Sequence, residues 1–199
     1  YIKEASYEEI PLVKELLDAT SERKGFKNRN VNYFQNLYTE FKKDDEINFI
    51  IAEIHVDEYI SNAKGELEKE NNNLKKLIEM NSSEAKIKNT KEIINKLENK
   101  IEDGKRLLQE KGKIIPLSAG IFLTYGNEVL YLFGGNIKEY MYFCAPYVVQ
   151  WEMITRGLNN KKFKRYNFYG IPKDINKHPK DYGVYDFKKG FTGYVEELI

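Results

Sequence analysis

The residues able to do chemistry crowd into the last fifth of this chain. Lys188 and Lys189 stand side by side in the run Phe187–Phe191 (FKKGF), downstream of the aromatic run Tyr166–Ile171 (YNFYGI). Two adjacent lysines form either the solvated face of a short helix or a source of positive charge for a site. Tyr166, Phe168 and Tyr169 read as strand residues that either line a groove for sugar or peptide or pack as core. Gly170 and Gly190 are expected to serve backbone geometry, through close approach or positive φ. Far upstream, Lys24 and Arg29 offer cations to a phosphate or a nucleic acid, or make a solvated turn. Asp181, Asp186 and His178 are the available bases, and none has a partner at a telling spacing. Cys144 precedes a helix start, where a thiol is either activated or simply buried.

Composition narrows the setting. The 199 residues suffice for one core with an appendage, at 41% hydrophobic and 32% charged. A net charge of +1 implies no global pull toward nucleic acid or membrane. One cysteine excludes an internal disulfide and fits a reducing compartment. His55, His178 and Cys144 do not make a zinc ligand set, so no metal site is expected. No apolar run reaches the roughly 18 residues of a membrane span. The chain starts at Tyr1 and ends on Ile199 in strand-like sequence, which reads as a piece of a longer polypeptide.

The elements that must hold these residues follow from periodicity. Ser6–Arg23 reads as an amphipathic helix, with Ser6 and Glu9 at capping-box spacing and Gly25 as its stop. Asn30 caps a second helix with Tyr33, Phe34, Leu37, Tyr38 and Phe41 on its apolar face. Ile47–Val56 is a buried strand. From Asp57 to Gly112 the composition changes. Ile60, Leu67 and Leu74 repeat at sevens, as do Ile87, Ile94, Ile101 and Leu108, with a polar break at Asn81–Ser83. That pattern predicts an antiparallel coiled-coil hairpin reaching roughly 38 Å at 1.5 Å per residue. Its twelve basic and twelve acidic residues cancel, which suits partner contact or self-association as well as nucleic acid. A β-hairpin over Ile114–Gly134 turns at Gly126-Asn127. Pro146–Asn159 reads as a helix burying Val148, Val149, Trp151, Met153 and Ile154. A strand over Phe163–Tyr169, a short helix opening at Asp181–Phe187 and a final strand over Gly193–Ile199 complete the order. The expected fold is mixed α/β (α+β), with residues 1–56 and 113–199 as the domain and 57–112 as an inserted arm.

Five stretches resemble the Fem family of aminoacyltransferases, which build the interpeptide bridge of bacterial peptidoglycan. They are Ala19–Tyr38, Pro116–Asn136, Ala145–Ile154, Tyr166–Ile171 and Tyr182–Phe191 (YGVYDFKKGF). The resemblance covers almost the whole chain and is closest to the second of the family's two domains. It implies a GNAT-like acyltransferase fold with the coiled-coil arm, no cofactor, and transfer from aminoacyl-tRNA to an amine of a lipid-linked or nucleotide-linked peptidoglycan precursor. It places the protein in the cytoplasm, with peripheral contact to the inner membrane face. It puts the family's functional lysine at Lys188, as the cation for the tetrahedral oxyanion. Lys189 takes that role if the register is off by one; otherwise it joins Tyr166, Phe168, Tyr169 and Arg29, the groove and phosphate candidates above, as a substrate contact. Two other classes stay open. One is a CoA-dependent N-acyltransferase, against which Tyr142–Pro146 lacks a Gly-rich pyrophosphate loop. The other is a non-catalytic module working through the arm.

Overall fold

A computed structural model of the chain describes residues 1–160, 163–171 and 182–196. Five strands form one sheet in the order β1 (Ile2–Glu4), β2 (Ile47–His55), β3 (Ile114–Tyr125), β4 (Glu128–Asn136) and β5 (Arg165–Asn167). Neighbours are antiparallel except β4 and β5, which run parallel. β1 is not legible in the sequence. Three residues carry no periodicity, and the strand exists because Ile2–Glu4 pairs with Ile50–Ala52.

One face of the sheet carries α1 (Ile10–Lys24) and α2 (Val31–Lys42). Val13, Leu16, Leu17 and Phe34 from these helices meet Phe49, Ile51 and Ile121 in a buried cluster. α1 starts later than its sequence suggests. The Glu9 carboxylate does accept from the Ser6 N–H at 3.0 Å, but it closes a 3-10 turn over Tyr7–Glu9 that leads into the helix. Asn30 caps α2 through Oδ1, which accepts from the Tyr33 N–H at 2.9 Å. Gly25 ends α1 at φ 75°, with open space where a Cβ would stand. Gly25→Ala should therefore cost about 1 kcal/mol, all of it backbone strain, measurable as a shift in urea midpoint.

The opposite face carries α5 (Ala145–Asn160), whose Val149 and Met153 join Phe122 and Val129 in a second cluster. Gly120 makes this approach feasible, because a Cβ there would stand 2.8 Å from the Val149 side chain. Val148 and Trp151 are not buried as the apolar run suggests; both are exposed, and Ile154 is half-buried. The sheet takes one stripe of the helix only, and these side chains point away from it.

Between β2 and β3 the chain forms α3 (Val56–Glu79) and α4 (Glu84–Lys111), packed antiparallel. Lys100 pairs with Glu66 at 3.9 Å, and Gly104 faces Ile60 so closely that a Cβ would lie 2.6 Å from its Cγ1. Ile94, Leu97, Ile101 and Leu107 are buried along the contact, with Leu107, not Leu108, the deeper residue at the base. His55 pairs directly with Ile114, and the Val56 N–H donates to the Lys113 carbonyl at 2.8 Å. The two helices thus leave and rejoin the sheet at adjacent strand ends, and the β2–β3 ladder runs up to them with one register shift between Ala52 and Glu53. Tyr142 donates to Asp103 at 2.9 Å, and Tyr59 packs edge-on against Phe143, fastening the hairpin base to the domain. No helix among the described residues is long and apolar enough to cross a membrane.

Candidate active site

β4 and β5 stay paired only from Glu128–Leu130 to Arg165–Asn167. Beyond that, among the described residues, the β5 side of β4 is unpaired from Tyr131 onward. The chain turns away after Asn167 in a tight loop. The Tyr169 N–H donates to Asn167 Oδ1 at 2.8 Å, while Asn167 Nδ2 donates to Glu128 at 2.6 Å. This loop holds Tyr169 at φ 65°, a left-handed conformation that costs a bulky residue roughly 1–2 kcal/mol.

The predicted strand through Tyr169 therefore ends at Asn167, and its three aromatics part company. Tyr166 turns inward and donates its hydroxyl to the wholly buried Gln150 at 2.5 Å; burial pushes its phenol well above the ordinary range. Phe168 packs at a tilt between Tyr166 and Phe191, with ring centroids 4.8 and 5.2 Å away. Tyr169 alone of the three is exposed.

α6 (Tyr182–Lys189) is eight residues long and ends on the two lysines, where the helix dipole favours positive charge. Phe187 and Phe191 clamp it to Tyr147 at the start of α5, with centroids 4.8 and 5.7 Å from that ring. The clamp turns Lys188 toward the loop. Its Nζ donates to the carbonyl of Gly170 at 2.8 Å and to that of Tyr169 at 3.3 Å. Half-burial, reinforced by the like charge of Lys24 at the end of α1, lowers the Lys188 pKa to about 8. Lys189 points elsewhere and lies 5.9 Å from the Tyr185 ring centroid.

Lys24 opens the segment that carries Arg29. Arg29 is exposed and rests over the Tyr33 ring at 5.5 Å. Beside it a cavity of about 320 Å³ is lined by Leu17, Phe26, Lys27, Asn28, Arg29, Phe133 and Gly134. The fold thus brings the YNFYGI loop and Lys188 together beyond the end of β5, with Lys24 within electrostatic reach of Lys188 and Arg29 further along the segment that Lys24 begins.

Several expectations change. Neither Gly170 nor Gly190 takes the left-handed φ; the residues that do are Tyr169 and Thr192, each next to a glycine. Cys144 is exposed rather than buried, at φ 55° before α5. Gly193–Glu196 is not a strand, and 197–199 lie outside the described residues, as do His178 and Asp181. Asp186 accepts the Gly190 N–H through its backbone carbonyl, a helix-end bond. His55 stacks on Tyr1 at 3.9 Å and pairs with Glu53 at 2.9 Å, a structural position. No group of three or more His, Cys, Asp or Glu gathers into a metal-binding arrangement among the described residues. Reading the sequence missed Asn167, whose Asx-type turn is a recognisable signal before Tyr169-Gly170, and Glu128, which only the β4–β5 pairing brings near.

These features define a mixed α/β domain with a five-stranded sheet and a helical hairpin between its second and third strands. The model of the FemAB family matches residues 1–199, and the chain belongs to that family. It is 36% identical over 201 residues to the aminoacyltransferase FemA of Staphylococcus epidermidis, covering 98% of this chain and 48% of that protein. The aminoacyltransferase FemA of Staphylococcus aureus (strain N315) is 34% identical over 205 residues, covering 100% of this chain and 48% of the relative. Among solved structures, that of FemX superimposes with a TM-score of 0.73 at 26% identity, over 95% of this chain and 49% of its own. The chain spans about half the length of the relatives it matches.

Proposed function

We propose that the full-length protein containing this chain is an aminoacyltransferase that moves an amino acid from aminoacyl-tRNA to an amino group of a lipid-linked or nucleotide-linked peptidoglycan precursor. The observation that carries this reading is the FemAB match across all 199 residues. The chain would supply the second of two domains. Residues 1–56 and 113–199 form its GNAT-like acyltransferase part, and 57–112 form a coiled-coil arm. Seven-residue spacing of Ile60, Leu67 and Leu74, and of Ile87, Ile94 and Ile101, supports the arm. Its balanced charge suits contact with tRNA, a partner or a second copy. The protein works in the cytoplasm, in peripheral contact with the membrane face where a lipid-linked precursor lies.

An aminoacyl ester is already activated. What remains is to hold a neutral amine near the carbonyl and to neutralise the oxyanion as the C–N bond forms and the C–O bond breaks. Lys188 is assigned the second task. Its ammonium already faces two carbonyl oxygens, the same acceptor chemistry as a substrate ester, and a substrate oxygen replaces one of them. Lys189 and Tyr169 contact substrate at the rim, and Tyr166 and Phe168 form the wall behind it. Arg29, with Lys24 and Lys27, offers charge to phosphates. The segment between β4 and α5 argues against a CoA donor: it is a 3-10 stretch over Lys138–Phe143, not a Gly-rich cradle.

The test is transfer by the full-length protein with charged tRNA and precursor, beside acetyl-CoA as rival donor. Turnover of acetyl-CoA alone would sink the proposal. The pH profile adds a sharper check. Because the ammonium form acts, the rate should decline as pH passes about 8, the Lys188 pKa, by about tenfold per unit at higher pH. Lys188→Arg, which stays charged, should lack that limb if its longer head is accommodated. Folding shows the opposite slope. Between about 8 and 10.5 the unfolded chain holds the Lys188 proton more tightly than the native one, so this group's contribution to stability increases with pH.

A further inference from the structure

Lys188 is aimed by a loop, and that loop is itself held. Tyr169 sits at φ 65° without being a glycine, so its conformation lasts only while its surroundings enforce it. The enforcing bond runs from the Tyr169 N–H to Asn167 Oδ1 at 2.8 Å. An asparagine amide has one accepting end and one donating end, and a half-turn about χ2 exchanges them. Asn167 keeps its oxygen toward Tyr169 most firmly when an acceptor stands on its other side.

That acceptor is Glu128. Its Oε1 accepts from Asn167 Nδ2 at 2.6 Å, and its Oε2 lies 3.2 Å from Arg165 Nε. Arg165 also pairs with Glu196. The parallel register sets this up. Glu128 stands opposite Arg165, with Asn167 two residues further on and on the same face of β5. An ionised carboxylate accepts and does not donate, so it fixes which end of the amide meets Tyr169. The line continues to the carbonyls of Tyr169 and Gly170, which accept from Lys188 Nζ at 3.3 and 2.8 Å.

Taking Lys188 as the cation of transfer, on which this step rests, we infer that Glu128 is a positioning residue. By locking the Asn167 amide it sets the Tyr169 and Gly170 carbonyls that aim the Lys188 ammonium. Glu128 touches no reacting atom. A purely structural role would leave a different trace, because the ion pair with Arg165 joins β4 to β5 without involving the loop.

Two single substitutions in the full-length protein break the lock in different ways. Glu128→Leu removes the acceptor. Asn167→Asp keeps an oxygen for Tyr169 but sets a second carboxylate against Glu128. Each should lower kcat about tenfold, the scale of a reacting group displaced by a fraction of an ångström, with KM changed less. Each should also move the titration of Lys188. Its neighbours are Lys24 at the end of α1, Tyr147 of α5 beyond Phe187, and Tyr169 of the loop; burial and the Lys24 charge lower its pKa to about 8. A released loop admits water and returns that value toward 10.5 by about one unit. Trace acetylation with acetic anhydride, followed across pH by tandem mass spectrometry, reads Lys188 apart from Lys189. The double variant Glu128→Gln with Asn167→Asp reverses donor and acceptor, and should restore both readouts. Arg165→Met keeps the Glu128–Asn167 bond and should leave the titration at about 8, whatever it costs in stability. A titration unmoved in both single variants would overturn the inference. So would a double variant no better than the singles, or a shift in Arg165→Met as large as in Glu128→Leu. The titration is read without substrate, so it can fail while the transfer assay succeeds, and hold where transfer fails.

Discussion

Lys188→Ala in the full-length protein should lower the transfer rate about a hundredfold or more, the usual size of losing one oxyanion donor. The same change should cost little stability. In the resting fold the ammonium donates to the carbonyls of Gly170 and Tyr169, and both can turn to water once the side chain is gone. The side chain is half-buried, so the loss comes to about 1 kcal/mol, or a few degrees of melting temperature for a domain of this size. Lys189→Ala is the companion measurement. Lys189 is exposed and lies over Tyr185, so its loss should act on KM more than on kcat. If Lys188→Ala instead removed activity and folded protein in parallel, Lys188 would be a latch on the Tyr169 loop and not a catalytic group.

The largest stability effect is expected at Gly135. A Cβ there would stand 2.2 Å from the Leu16 carbonyl oxygen and 2.4 Å from the Leu17 Cα. Both are backbone atoms in the middle of α1, so no rotamer change relieves the contact; the helix must lift from β4. Lifting it also disturbs the next position. The Thr20 hydroxyl accepts from the Asn136 N–H at 3.0 Å, and Arg23 donates to the Asn136 carbonyl at 3.2 Å and to its Oδ1 at 3.1 Å. Gly135→Ala should therefore exceed the usual overpacking cost of about 1–3 kcal/mol, read as a lower urea midpoint. Gly65→Ala is the control. Gly65 lies within α3 with open space around its Cβ position, so alanine there should stabilise by up to about 1 kcal/mol. Because α1 ends at Lys24, whose charge helps lower the Lys188 pKa, residual folded Gly135→Ala protein should also show a displaced pH limb.

Much of the fold is written in local signals. The Asn30 cap, the Gly25 stop, the Gly126 turn at φ 56° and the apolar run of β2 each act over a few residues, and each appears where the residues point. The long helices α3 and α4 follow from apolar residues repeated at sevens over many turns, a signal that accumulates with length. The candidate site was legible as a set of residues and not as an arrangement. YNFYGI and FKKGF stand out by composition, but the bond from Lys188 to the Gly170 carbonyl joins residues 18 apart, set by how α6 is clamped to α5. Tyr166 and Tyr169 looked equivalent on a predicted strand. Their fates diverge because β5 stops at Asn167, once the Asx-type turn takes over the next N–H groups.

By itself, then, the sequence determined the helices, most strands, the hairpin between β2 and β3, and the stretches that place the chain among its relatives. These depend on short-range periodicity, capping and turn chemistry, which each segment carries on its own. The tertiary structure decided which apolar residues are core, since Trp151 and Val149 are alike in hydrophobicity and differ only in which layer they face. It decided that Lys188, and not Lys189, faces the Tyr169 loop with Lys24 nearby, because one position along a helix turns a side chain by about 100°. The opening lysine pair thus resolves into one half-buried cation with two carbonyl partners and one solvated neighbour.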